Sequence, residues 1–112
     1  MQLHYVEVLV VDDSALIVKL IEDMLKRRNV NVDRAYTPEE ALEKIVKNIY
    51  DVYIIDYELP GLNGLELARK IKEMNDKGKV IIITANVDFK TEEFSVIYKP
   101  FDLDKFYTLV FE

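Results

Sequence analysis

The sequence predicts an α/β fold in which a parallel sheet carries helices on both faces, and three observations lead there. Two short apolar runs without polar alternation, VYII at 52–55 and VIII at 80–83, have the composition of strands buried on both sides. Such runs alternate along the chain with segments whose apolar residues recur at helical spacing, strand then helix, five times. The runs also end on residues that carry chemistry: Asp12-Asp13 after the first, Asp56 after the third, Thr84 after the fourth and Lys99 after the last. In parallel sheets, ligands bind outside the carboxyl ends of the strands, so this topology would bring those residues to one edge.

Each element has its own justification. Val6 to Val11 (VEVLVV) is the first strand. Ser14 to Arg28 follows as an amphipathic helix with Ile17, Leu20, Ile21, Met24 and Leu25 inward, closed by the cations Lys26-Arg27-Arg28. Val30 to Tyr36 (VNVDRAY) alternates apolar and polar residues, as a half-exposed strand at a sheet edge does. Thr37-Pro38-Glu39-Glu40 starts the second helix, with Thr as N-cap, Pro in the first turn and Glu three residues after the cap. That helix is expected to run to about Asn48, with Ala41, Leu42, Ile45, Val46 and Ile49 inward. After the strand that ends at Asp56, the turn Pro60-Gly61 leads to a third helix from Gly64 to Asn75, carrying Leu67, Ala68, Ile71 and Met74. Ser95 to Tyr98 (SVIY) is the last strand. Asp102 caps a final helix with Leu103, Phe106, Tyr107, Val110 and Phe111 at helical spacing.

A chain of 112 residues fits one domain, residues 1–112, with no room for a separate output domain. The net charge of -6 argues against nucleic acid as the main partner. Without cysteine there is no disulfide framework, zinc-thiolate site or thiol nucleophile. The N-terminus lacks the features of a signal peptide and no apolar run reaches membrane-spanning length, so a cytoplasmic protein with no membrane partner is expected. His4, the sole histidine, reads as an ordinary exposed residue.

Taken singly, the residues at the strand ends have structural explanations. Asp12-Asp13-Ser14 can cap a helix, Asp56 can start a turn, Thr84 can close a strand, and Lys99 can be a solvated cation. Their convergence changes the balance. Carboxylates brought together repel by roughly 4 kcal/mol per pair at 4 Å and an effective dielectric near 20, so the cluster requires a cation. An all-oxygen set with few carboxylates suits Mg²⁺, which is commonly completed by a phosphate oxygen. Lys99 and the Thr84 hydroxyl then supply the positive charge and the donor that a phosphoryl group needs. A carboxylate can itself be the nucleophile in phosphoryl transfer, and Asp56, central and followed by an exposing turn, is the candidate.

These residues resemble the receiver domain of two-component response regulators, the CheY-like family. VLVVDDS at 8–14, DVYIIDYELPGLNG at 51–64, IIITAN at 81–86 and YKPF at 98–101 match its motifs, in family order and over essentially the whole chain. The resemblance implies a flavodoxin-like (βα)5 three-layer sandwich with a five-stranded parallel sheet of order 2-1-3-4-5. It implies that Asp56 accepts a phosphoryl group from a histidine kinase or histidine phosphotransfer protein. Asp12, Asp13 and Asp56 would hold Mg²⁺ together with the backbone carbonyl of Glu58. Thr84 and the Ala85 amide would contact the phosphoryl oxygens and Lys99 would pair with them, ahead of a cis bond to Pro100. Glu58 and Asn86 fall where the family tunes dephosphorylation, in a direction the sequence does not give. Phosphorylation would shift a two-state equilibrium and change the surface offered to a downstream protein.

Two features depart from the family pattern. Only Ala85 to Phe94 separates the threonine strand from the lysine strand, so the fourth helix is expected to be cut to about a turn or replaced by an irregular loop. Three residues before the lysine, where many members carry a switching aromatic, stands Val96; Tyr98 shares its face two places on. A shortened fourth helix would leave Phe106, Tyr107, Val110 and Phe111 partly uncovered, which suggests a monomer or weak homodimer. The leading expectation is a stand-alone phosphoacceptor with an altered readout. The alternatives are a phosphorylation-independent interaction module, which the intact acidic set argues against, and a Mg²⁺-dependent phosphatase. The last lacks a second acid at the spacing general acid/base catalysis wants and any capping segment to exclude water.

Overall fold

The computed structural model describes residues 5–112, so His4 lies outside the described residues. Strands β1 (Val6–Val11), β2 (Val30–Ala35), β3 (Val52–Asp56), β4 (Lys79–Thr84) and β5 (Ser95–Tyr98) form one parallel sheet. Their order is β2-β1-β3-β4-β5, which makes the alternating β2 an edge strand and the wholly buried β3 the centre. Helices α1 (Ala15–Leu25), α2 (Pro38–Lys47), α3 (Gly64–Met74) and α4 (Leu103–Phe111) complete the chain.

The twofold alternation of strand side chains divides the interior into two layers. Leu9, Val11, Tyr53, Ile55, Val80 and Ile82 pack with α2 and α3 through Ala41, Ile45, Leu67 and Ile71. Val8, Val10, Ile54, Ile81, Ile83 and Ile97 pack with α1 and α4 through Val18, Ile21, Leu25, Phe106 and Val110. The caps follow the sequence: Ser14, Thr37, Asn63 and Asp102 each accept a backbone N–H of the first turn.

Several expected inward residues face water. Val46 and Ile49 are 70% and 82% exposed, and Leu20, Met74 and Leu103 are also exposed. In α2 the buried stripe is Pro38, Ala41 and Ile45; Val46 sits a further 100° round the helix, and Ile49 lies beyond its end. Helix α1 ends at Leu25 with Lys26 as its C-cap, its N–H donating to the Glu22 carbonyl at 3.0 Å, so the helix stops short of Arg27 and Arg28. The last helix is uncovered only in part, because Phe106 and Val110 are buried while Tyr107 and Phe111 are half-buried. It packs with α1 on one face of the sheet, whereas the shortened segment lies against the other.

That segment, residues 85–94, is a run of turns and bends with no helix. Phe89 takes over part of the missing helix's burial. It is 9% exposed and its ring stacks on Tyr57 with centroids 4.0 Å apart. Phe94 and Val96 pack on the same layer, and the Tyr98 hydroxyl donates to the Phe89 carbonyl at 2.7 Å. A groove of about 570 Å³ remains between the loop and β5, lined by Lys90, Thr91, Glu92, Phe94, Val96 and Tyr98. Among the described residues no helix is long and apolar enough to cross a membrane.

Candidate phosphoacceptor and metal site

The parallel register sets the strand ends level. Val11 pairs with Ile55, Asp56 with Ile83, and Thr84 with Tyr98, so Asp12, Asp56, Thr84 and Lys99 emerge at one edge of four adjacent positions in the sheet. Asp12 follows β1, with its N–H donating to the Ala35 carbonyl of β2 at 3.1 Å. Its Oδ1 accepts the Ser14 N–H at 2.9 Å, while Ser14 Oγ caps α1. One short stretch therefore both starts the helix and orients the carboxylate.

Asp56 closes β3, and the chain beyond it is pinned at two points. Tyr57 N–H donates to Ile83 O at 2.9 Å, and Gly64 N–H returns to Tyr57 O at 2.8 Å. Gly61 makes the intervening reversal at φ 89°, a conformation that favours glycine. The Glu58 N–H faces Asp56 Oδ1 at 3.4 Å. Lys99 is anchored through its own backbone, its N–H donating to Thr84 O at 2.8 Å, and the Lys99–Pro100 bond is cis.

The side chains converge. Asp12, Asp13 and Asp56 each offer a carboxylate oxygen, and the three atoms lie within 4.8 Å of one another. Asp12 and Asp56 are 1% and 3% exposed, whereas Asp13 is exposed. Lys99 Nζ reaches Asp12 Oδ2 at 3.4 Å and Asp56 Oδ1 at 3.5 Å, distances of ion pairing rather than of tight hydrogen bonds. Thr84, fully buried, closes the next strand; Ala85 after it is exposed.

The electrostatics of this group are unbalanced. Burial, then the charge of Asp12, push Asp56 up to about 7, with Lys99 opposing and Glu58 adding to the rise. Asp12 is raised as well, by burial working against its bond from Ser14 and its pairing with Lys99. One lysine leaves the cluster short of positive charge at neutral pH. Three carboxylate oxygens within reach of a common centre, two of them desolvated, fit a hard divalent cation such as Mg²⁺ in donor type and placement.

Every residue expected at the strand ends reaches this edge. Missed by sequence reasoning was the Glu58 side chain, whose Oε1 accepts the Thr84 hydroxyl at 2.5 Å, and the Asn86 N–H, which donates to Thr84 Oγ1 at 3.0 Å. Their positions two residues after Asp56 and Thr84 single them out, but no sequence pattern says which way the Glu58 side chain turns.

Comparison with known proteins agrees with this geometry. The response regulator receiver domain family matches residues 8–111. Response regulator ArlR of Staphylococcus aureus (strain COL) is 33% identical over 108 residues, which cover 88% of this chain and 48% of that protein. The chain thus spans about half the length of the curated relatives it matches. Response regulator TrrA of Thermotoga maritima, solved in complex with Mg(2+)-BeF, is 32% identical. It superimposes with a TM-score of 0.86, covering 94% of this chain and 96% of that one. Chemotaxis response regulator CheY4 of Vibrio cholerae shares the fold, with a TM-score of 0.85 at 22% identity over 96% of this chain and 97% of its own. With buried carboxylates, lysine and threonine at the strand ends of a β2-β1-β3-β4-β5 sheet and a family match spanning nearly its full length, this chain belongs to the response regulator receiver domain family.

Proposed function

We propose that residues 1–112 act as one cytoplasmic receiver unit that accepts a phosphoryl group on Asp56 from a histidine kinase or a histidine phosphotransfer protein. The observation that carries this reading is the convergence of three carboxylate oxygens within 4.8 Å beside Lys99 and the buried Thr84. In the transfer, an Asp56 carboxylate oxygen attacks phosphorus. The bond from phosphorus to the donor imidazole nitrogen breaks, its electron pair stays on that nitrogen, and solvent supplies the proton. Asp12, Asp13, Asp56 and the Glu58 carbonyl would hold Mg²⁺, which would supply positive charge to the oxygens of the transferring group. Lys99, already 3.5 Å from Asp56 Oδ1, stands where it can pair with the negatively charged oxygens of the phosphoryl group as Asp56 gives up its own charge to phosphorus. The Thr84 hydroxyl and the Ala85 amide bind phosphoryl oxygens.

The consequence for a downstream protein partner runs through the loop after Thr84. Tyr57, next to Asp56, stacks on Phe89, and Phe89 is tied by its carbonyl to Tyr98 of β5. A displacement of Thr84 or Tyr57 on phosphorylation is thereby handed to the groove beside β5 in place of a fourth helix. Titration with Mg²⁺ and beryllofluoride, followed by amide chemical shifts, tests the reading. Saturable shifts are expected at residues 12–14, 56–58, 84–86 and 99, spreading over 85–98. The Asp56→Asn variant should show no beryllofluoride-dependent change. A wild-type protein that leaves these signals unmoved overturns it.

A further inference from the structure

Building on the phosphoacceptor reading, we propose that Glu58 is a positioning residue whose carboxylate holds the Thr84 hydroxyl in the unphosphorylated protein and must release it for the phosphoryl group to bind. A threonine hydroxyl has one proton to donate. Here that proton goes to Glu58 Oε1 at 2.5 Å, while the oxygen accepts the Asn86 N–H at 3.0 Å. Both faces of the hydroxyl are thus engaged before any phosphoryl group arrives. Thr84 is fully buried, so its hydroxyl has no bulk water to turn to, and a second acceptor at the site must compete with Glu58 for the same proton.

The competition has a definite direction. A phosphoryl group on Asp56 brings at least one full negative charge to the place Glu58 occupies, and Glu58 already adds to the negative field that Asp56 feels. The two anions cannot share one donor, and like charge drives them apart. Glu58 can leave at little cost because, unlike Thr84, it is exposed and its side chain can turn into solvent. Its backbone, two residues beyond Asp56, stays where a metal would use it. The chain thus carries an internal acceptor that sets a threshold on phosphorylation, separate from the metal and from Lys99.

The test measures beryllofluoride affinity by calorimetry in Mg²⁺, and the rate of labelling by acetyl phosphate, in wild type, Glu58→Gln and Glu58→Ala. Each is repeated in a Thr84→Ala background. Glu58→Ala should gain roughly tenfold in both, the scale of one hydrogen bond to a charged group. Glu58→Gln, whose amide oxygen still accepts but carries no charge, should fall between. In the Thr84→Ala background the gain should shrink to about twofold or less, the share left to repulsion alone. Without metal, Glu58→Ala should also move the Asn86 amide signal, which reports on the Thr84 oxygen, while signals of the distant Tyr50–Asp33 contact stay fixed. An equal gain in both backgrounds overturns the proposal, because charge then explains everything; so does an unchanged or weaker Glu58→Ala. Wild type that binds no beryllofluoride removes the phosphoacceptor reading, and this proposal with it.

Discussion

Replacing Asp56 with asparagine is expected to stabilise the metal-free protein at pH 8 by roughly 1–3 kcal/mol. Burial and the Asp12 charge raise Asp56 from its ordinary value of 3.8 to about 7. A carboxyl group raised in the folded state holds its proton more tightly there than in the unfolded chain. The cost of ionising it is absent below the ordinary carboxylate range, grows as pH climbs toward about 7, and is complete above that. The full shift, in which the opposing attraction of Lys99 is already included, corresponds to at most about 4 kcal/mol, and relaxation of the site lowers the gain. Wild type should therefore lose stability between pH 5 and 8 in the presence of a chelator, and Asp56→Asn should lose much less. The remaining slope belongs partly to Asp12, which is also raised. Urea midpoints at several pH values read both effects. Added Mg²⁺ should narrow the difference by stabilising wild type more.

Gly64→Ala is expected to be the most damaging single methyl in the chain, costing on the order of 2–4 kcal/mol. A Cβ at Gly64 would lie 2.4 Å from the Asp56 carbonyl oxygen and 2.7 Å from Tyr57 Cα. Both are backbone atoms, held by the Gly64 N–H to Tyr57 O and Tyr57 N–H to Ile83 O bonds, so no side chain can move aside. The clash would push the end of β3 and the following turn outward, and Mg²⁺ affinity should fall along with stability. Gly61→Ala is the control. Gly61 has φ 89° with nothing within 4 Å of a Cβ, so only backbone strain of about 1 kcal/mol is expected there, with the site left intact. Denaturation midpoints and Mg²⁺ titrations of the two variants separate contact from conformation.

The sequence was most informative where one physical cause dominated. The unbroken runs at 52–55 and 80–83 have no polar face, which places them in the middle of a parallel sheet, and the alternation of 30–36 places it at an edge. Thr37 and Pro38 fix the start of α2 because capping is a local event. Once the strands are parallel, Asp12, Asp56, Thr84 and Lys99 have to meet at one edge. Side-chain direction was less legible. Val46 and Met74 are apolar at near-helical spacing yet exposed, because a short helix has only a narrow stripe against the sheet, and Ile49 is exposed because α2 ends before it. The 85–94 segment is too short for a helical crossover, but its length does not say that Phe89 folds back onto Tyr57. The Glu58 bond to Thr84 depends on a rotamer choice that no spacing encodes.

The central claim is that Asp56 takes the phosphoryl group. Incubation with acetyl phosphate and Mg²⁺, followed by intact-mass and peptide mass spectrometry, tests it most directly. Wild type should gain a single phosphoryl group mapped to Asp56, and the adduct should be lost in base and absent when a chelator removes the metal. Asp56→Asn should gain none. A phosphoryl group retained by Asp56→Asn, or placed on any other residue of wild type, would contradict it.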